Sequence, residues 1–239
     1  MTDQSNLPVM AGAAEPFYQT WMKALTRPSE QTFAAMAASP NAKASTAYLW
    51  YFLAALVSFF LTSLVQGALM RQMIQDLGDS GQFDSGGVGG GLIGVVCGAP
   101  IGAAISTLFF GIIVAVVQWI AKMFGGKGTA DQLAYTLAAI LAPYSIVAGL
   151  LALLGAIPTV GFCFGLVSLG FLAYVIVLEV MAVKGVNQFG WGEAIGSLFI
   201  PILAVALLCA CLVGAVFMLA GPAIGDVFSQ INQSLQNAP

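Results

Sequence analysis

Three features of the chain have residue types that could do chemistry: two glycine-rich stretches of the kind that hold phosphates, and one carboxylate inside an apolar run. Gly89-Gly-Gly91-Leu-Ile-Gly94 fits the G-x-G-x-x-G pattern. That pattern cradles a dinucleotide only where it follows a strand in a βαβ unit, and here it leads into a long apolar segment, so it is excluded. Gly125-Gly-Lys-Gly-Thr129 has the glycines, lysine and hydroxyl of a phosphate loop. However, Gly128 separates Lys127 from Thr129, and Ala121 stands where the first glycine would have to fall. This stretch is expected to be a flexible turn whose Lys127 faces phospholipid. Glu179 is the one ionisable residue inside an apolar run and away from its end. A carboxylate at bilayer centre costs about 2.5–3.5 kcal/mol, so an intramembrane acid is a functional candidate by default. With Gln118 and Lys184 it forms the candidate intramembrane polar site, placed near a span end that Lys184 or water can reach.

Other chemistries are excluded by what is missing. The chain has no histidine, so Ser-His-Asp and Cys-His arrangements and the commonest metal ligand are unavailable. Cys97, Cys163, Cys209 and Cys211 all lie in apolar runs without Cys-x-x-Cys spacing and are expected to be packing residues. Asp76, Asp79 and Asp84 lack the alternate spacing of a calcium loop. No catalytic residue, metal site or cofactor is therefore assigned.

The elements that must position the polar residues follow from composition. Only 7% of the 239 residues are charged, 59% are hydrophobic, and the mean hydropathy is +0.94. A soluble domain carries roughly 25% charged residues, so a water-facing surface cannot be built from this chain. The net charge of −3 offers no basic stripe for nucleic acid. Several apolar runs exceed the roughly 18 residues that mark a membrane-spanning helix. The expected fold is all-α: a polytopic bundle of five transmembrane helices with a short N-terminal interfacial amphipathic helix.

Residues 1–46 form an N-terminal segment, 47–220 the membrane domain, and 221–239 a polar tail. In the first, Phe17, Trp21 and Leu25 recur every fourth residue, and Pro28 ends the helix. Ser29 can cap a second short helix over 30–38. Trp21 and Lys23 suit the headgroup region, as do Trp50 at the entry to the first span and Lys122 and Lys127 beyond the second. The spans are expected at about 47–69, 98–123, 133–154, 161–183 and 195–220.

The second span carries a stripe of small residues, Gly86, Gly90, Gly94, Gly98, Gly102 and Ser106, one per turn on a single face. Such a face lets another helix approach closely. The apolar stretch from Gly91 to Met123 would reach about 50 Å as a straight helix, against a hydrocarbon core of about 30 Å. Pro100 lies within it and predicts a kink or break, with regular helix from about Gly98 onward. Pro143 beside Tyr144 and Ser145 predicts a kink whose freed carbonyl is taken up by a hydroxyl. Ser58, Thr62, Ser63, Gln66 and Gln118 are the uncharged polar residues able to bridge helices.

Five spans place the termini on opposite sides. Lys23, Arg27, Lys43, Lys122, Lys127 and Lys184 fall on one side and Arg71 alone on the other. The positive-inside rule then makes the N-terminus cytoplasmic and the C-terminus extracytoplasmic, in a cell (plasma or inner) membrane.

Trp21-Met-Lys-Ala-Leu-Thr-Arg-Pro28, Gly125-Gly-Lys-Gly-Thr129 with Asp131-Gln132-Leu133, and Glu179-Val-Met-Ala-Val-Lys-Gly-Val-Asn187 together look familiar. With Ala142-Pro143-Tyr144 and Phe189-Gly-Trp191-Gly192, the stretch from Trp21 to Leu219 resembles the Yip (Ypt-interacting protein) domain family in its bacterial branch. The resemblance implies a five-span domain with a cytoplasmic N-terminus. Eukaryotic members assist vesicle trafficking through small GTPases and partner membrane proteins. This sequence lacks their long N-terminal region, which argues against recruitment of a small GTPase. The function expected is that of a non-enzymatic membrane protein acting by helix–helix association, with itself or other membrane proteins, as a scaffold or accessory subunit. The alternative is a small-solute or lipid transporter, with Pro100, Pro143 and Pro201 breaking helices around a cavity.

Overall fold

The computed structural model describes residues 16–76, 87–157 and 160–236. All of its regular structure is helical. Two short helices come first, α1 (Phe17–Thr26) and α2 (Glu30–Ala37), then five long ones: α3 (Ala44–Asp76), α4 (Gly87–Met123), α5 (Ala130–Gly155), α6 (Gly161–Asn187) and α7 (Trp191–Gln236). Each long helix contains a stretch long and apolar enough to cross a membrane, at 44–66, 96–123, 130–155, 161–187 and 191–211.

Local chemistry sets the ends. Arg27 leaves the helical region before Pro28, as the ring of a following proline requires, and α1 stops there. Ser29 then caps α2, its hydroxyl accepting from the Thr32 N–H at 3.0 Å. Thr129 and Gln132 form a reciprocal capping box at the start of α5, at 3.3 and 3.0 Å, with Asp131 in the positive first turn. At the end of α6, Gln188 takes the left-handed conformation (φ 55°), and its N–H closes on the Lys184 carbonyl at 2.8 Å.

Two compact units are present, one up to Ser197 and one from Leu198 on. In the first, α5 is central: α3 packs along it, α6 covers another side, α4 packs chiefly on α3, and α1 and α2 lie across α5 and α6. The fully buried side chains gather toward the α4–α5 turn: Val114 and Val117 from α4, Leu133 and Ile140 from α5, Val175, Leu178 and Val183 from α6, and Phe33 from α2. Elsewhere large apolar side chains point outward, among them Leu108 at 65% and Phe162 at 79% exposure. An apolar surface this extensive is stable only against lipid, which is the solvent the composition demands. In the second unit α7 continues, exposing Leu203, Val205 and Leu207, and runs to Gln236 through the stretch expected as a polar tail.

Two prolines behave differently from expectation. The α4 helix continues through Pro100 back to Gly87, so the anticipated break is absent. A proline removes one hydrogen bond, a cost that the flanking turns of a long helix can absorb. In α5 the Ser145 hydroxyl does bond a carbonyl, but that of Ala142, at 2.9 Å. The carbonyl that Pro143 frees is four residues back, at Ala139.

Candidate functional site

The best-defined polar cluster lies at the end of the bundle where α4 turns into α5. Gln118, 3% exposed in the last third of α4, donates through Nε2 to the Gly128 carbonyl (2.7 Å) and to Asn187 Oδ1 (2.9 Å). Asn187, fully buried at the last position of α6, donates through Nδ2 to the Val183 carbonyl (3.1 Å) and to Gln118 Oε1 (3.4 Å). Its own carbonyl accepts the Lys127 N–H at 3.1 Å. All four amide hydrogens are thereby used, which a buried amide pair needs to be favourable.

The glycines of the α4–α5 turn make that closeness available. Gly125 turns the chain with φ at 86°, a region only glycine enters at no steric cost. A Cβ on Gly126 would lie 2.6 Å from Asn187 Oδ1, and one on Gly128 would lie 2.9 Å from the Val186 carbonyl oxygen. The stretch that imitates a phosphate loop is therefore filled by this chain's own Asn187 and Val186.

Beside this cluster, α2 rests on the last turns of α6. Lys184 pairs with Glu30, and its Nζ lies 4.4 Å from the centroid of the Trp191 ring. Gly185 lets α2 approach: a Cβ there would fall 2.8 Å from the Glu30 carbonyl oxygen. Between α2 and the chain after α6 is a shallow cavity of about 500 Å³, lined among others by Glu30, Gln31, Lys184, Gln188 and Phe189.

An aromatic chain fastens α1. Ring centroids are 5.2 Å apart for Phe17–Trp21, 5.9 Å for Trp21–Trp50 and 5.0 Å for Trp50–Tyr135, within the range of favourable pairs. The Tyr174 hydroxyl reaches from α6 to the Leu25 carbonyl at 2.6 Å. Trp21 keeps its ring in this stack, while its indole N–H is buried with no acceptor among the described residues. Lys23 on α1 is exposed, as are Lys122 and Lys127 at the α4–α5 turn.

The three residues of the candidate polar site separate into three environments. Gln118 belongs to the amide cluster and Lys184 to the Glu30 pair. Glu179 is half-buried, within electrostatic reach of the Tyr144 hydroxyl, and makes no hydrogen bond or ion pair to another described residue. Its oxygens are not among the buried atoms lacking a partner, so they reach the protein surface.

The small-residue stripe also divides. A Cβ on Gly102 would come within 3.2 Å of the Phe59 ring, and Ser106 Oγ lies 3.2 Å from the Tyr51 hydroxyl, so this part faces α3. Among the described residues, Gly98 has nothing within 4 Å of a Cβ position. Gly90 and Gly94 are in the first turns of α4, their surroundings lie outside the described contacts, and Gly86 falls outside the described residues. Of the hydroxyls expected to bridge helices, Thr62 bonds the Ser58 carbonyl (2.9 Å) and Ser63 the Phe60 carbonyl (2.8 Å), each within α3.

Sequence reasoning missed Asn187 and Glu30 as site residues. A helix-terminal asparagine and a first-turn glutamate are each unremarkable locally, and their partners lie 69 and 154 residues away. Among the described residues no three of His, Cys, Asp and Glu come together, and the four cysteines are exposed and unbonded.

No curated protein and no solved structure matches the chain. The profile of the Yip1 domain matches residues 22–225, which takes in the amide cluster, the glycine turn, the Glu30–Lys184 pair and all five apolar spans. The chain is a multi-pass helical membrane protein and belongs to the Yip1 domain family.

Proposed function

We propose that this Yip1-domain protein works by helix–helix association in a cell membrane, as a scaffold or accessory subunit of a membrane assembly. Its N-terminus is cytoplasmic and its C-terminus extracytoplasmic. The observation that carries this is the open position at Gly98. Along one stripe of α4, Gly102 and Ser106 are taken up by α3, while Gly98 faces nothing within 4 Å among the described residues. Ile101 and Ile105, in the two turns that follow, are exposed. A small residue beside exposed apolar side chains is a surface on which a second helix can pack at close range. The α4–α5 turn, at the other end of α4, offers structure rather than chemistry, since its amides and glycines are spent on each other.

The experiment is to compare Gly98→Leu with wild type in mild detergent, by light scattering and by affinity purification from native membranes. Loss of self-association or of a co-purifying membrane protein, with unchanged helicity and melting, is expected. Unchanged assembly in a folded Gly98→Leu protein removes the proposal.

Glu179 favours a second class, a transporter or channel-like protein. A carboxylate in an apolar span with no partner is costly unless it serves a passing solute or ion. It is one acid rather than a lined pathway, which is why association comes first.

A further inference from the structure

The cavity between α2 and the end of α6 has an arrangement of charge that the association function does not use. Lys184 contributes an ammonium on a side chain only 12% exposed, while Glu30 is 43% exposed. Lys184 contacts Glu30 through Oε1, which leaves Oε2 without a described partner. The ammonium in turn has donors beyond the one directed at Glu30. About 500 Å³ of space adjoins both groups, with the amides of Gln31 and Gln188 on its walls. Lys184 is in the last turn of the 161–187 span, and the end of a membrane-spanning helix is where lipid headgroups lie.

A site with one fixed positive and one fixed negative group selects against simple ions. An anion attracted by Lys184 is repelled by Glu30, and a cation meets the reverse. A ligand carrying both signs a short link apart satisfies both, closing an alternating ring of four charges. We propose that this groove binds a zwitterionic phosphodiester bearing a primary ammonium, such as a phosphoethanolamine headgroup. Its phosphate lies on Lys184 and its ammonium on Glu30 Oε2. The primary amine is specified by two features. Glu30 accepts hydrogen bonds, which a quaternary ammonium cannot donate, and the Trp191 face, the kind of surface that holds a quaternary group, is already covered by Lys184.

The test uses the full chain in detergent and native mass spectrometry with phosphatidylethanolamine, phosphatidylcholine or phosphatidylglycerol added singly. Phosphatidylethanolamine should bind about tenfold more tightly than the other two, as expected for one extra charge-assisted hydrogen bond. Glu30→Gln should abolish that preference and raise phosphatidylglycerol binding, because Lys184 then stands alone. Lys184→Gln should weaken all three, while Lys122→Gln should change none. Adding glycerophosphoethanolamine tells the two sources apart: displacement of the lipid supports a site that also takes a soluble zwitterion, and no displacement supports one that needs the bilayer-borne form. Equal binding of phosphatidylethanolamine and phosphatidylglycerol by wild type overturns the proposal, as does an unchanged lipid preference in folded Glu30→Gln. Where glycerophosphoethanolamine does displace the lipid, equally strong displacement by inorganic phosphate also overturns it. Where a variant fails to fold, the wild-type comparison decides alone.

Discussion

Gln118 and Asn187, 69 residues apart in the chain, exchange hydrogen bonds between their side-chain amides at 2.9 and 3.4 Å. Through that exchange α4, the α4–α5 turn and the end of α6 are held at one point. Replacing Asn187 with Leu should cost about 1–3 kcal/mol, because Gln118 keeps its bond to the Gly128 carbonyl but its Oε1 and second amide hydrogen are left buried without a partner. Gln118→Leu should cost a similar amount. The double variant should lose clearly less than the sum, since no orphaned amide remains. Thermal melts of the four proteins in one detergent measure the coupling, and strict additivity would show the pair to be incidental.

The turn glycines should be intolerant of a single methyl group. Gly126→Ala and Gly128→Ala each drive a Cβ to within 3 Å of Asn187 or the Val186 backbone. A loss of about 1–3 kcal/mol is expected from such overpacking. Gly98→Ala, with open space around it, should melt like wild type. The two outcomes are read in the same melting assay.

Tyr174→Phe removes the hydroxyl that holds the Leu25 carbonyl. The bundle should stay folded while α1 loosens, at a cost of about 1 kcal/mol. Limited trypsin digestion reports this directly: cleavage after Lys23 should accelerate, while the Arg27–Pro28 bond resists trypsin and cleavage after Lys184 should be unchanged.

Orientation is checked with fusions. Alkaline phosphatase joined after Pro239 should be active and a green fluorescent protein there dark, with the reverse pattern for fusions ahead of Met1. Matching signals at both ends would rule out an odd number of spans.

Glu179→Ala separates the two functional classes. Under the association function, assembly and melting should be retained or improved, because an unpaired carboxylate leaves the apolar span. Solute flux in proteoliposomes that appears with wild type and vanishes in the variant would instead favour transport.

Much of the fold could be read from residue order alone. The five apolar runs, the Ser29 cap and the stop at Pro28 depend on neighbours within a few positions, where spacing and propensity act. Gln118 was also legible as a bridge, because a lone amide in an apolar span must find a partner. What that partner would be was not. Asn187 meets Gln118 only because α4 and α6 both pack on α5 and their ends come together at the α4–α5 turn, and Glu30 meets Lys184 only because α2 is packed against α6; no local pattern encodes either meeting. Pro100 shows the opposite case: a strong local signal for a break was overruled by the long helix on both sides of it.

The docking of α2 also has a temporal side. Phe33 is wholly buried, and Glu30 pairs with a lysine 154 residues further on. A ribosome adding about 5–20 residues per second takes about 8–31 s to cover that distance. The helices translated first thus cannot complete their docking until α6, the fourth span, has been made. Their closure marks assembly of the first four spans, so a quality-control protease recognising an undocked α1–α2 pair would distinguish chains stalled before α6 from those that have passed it.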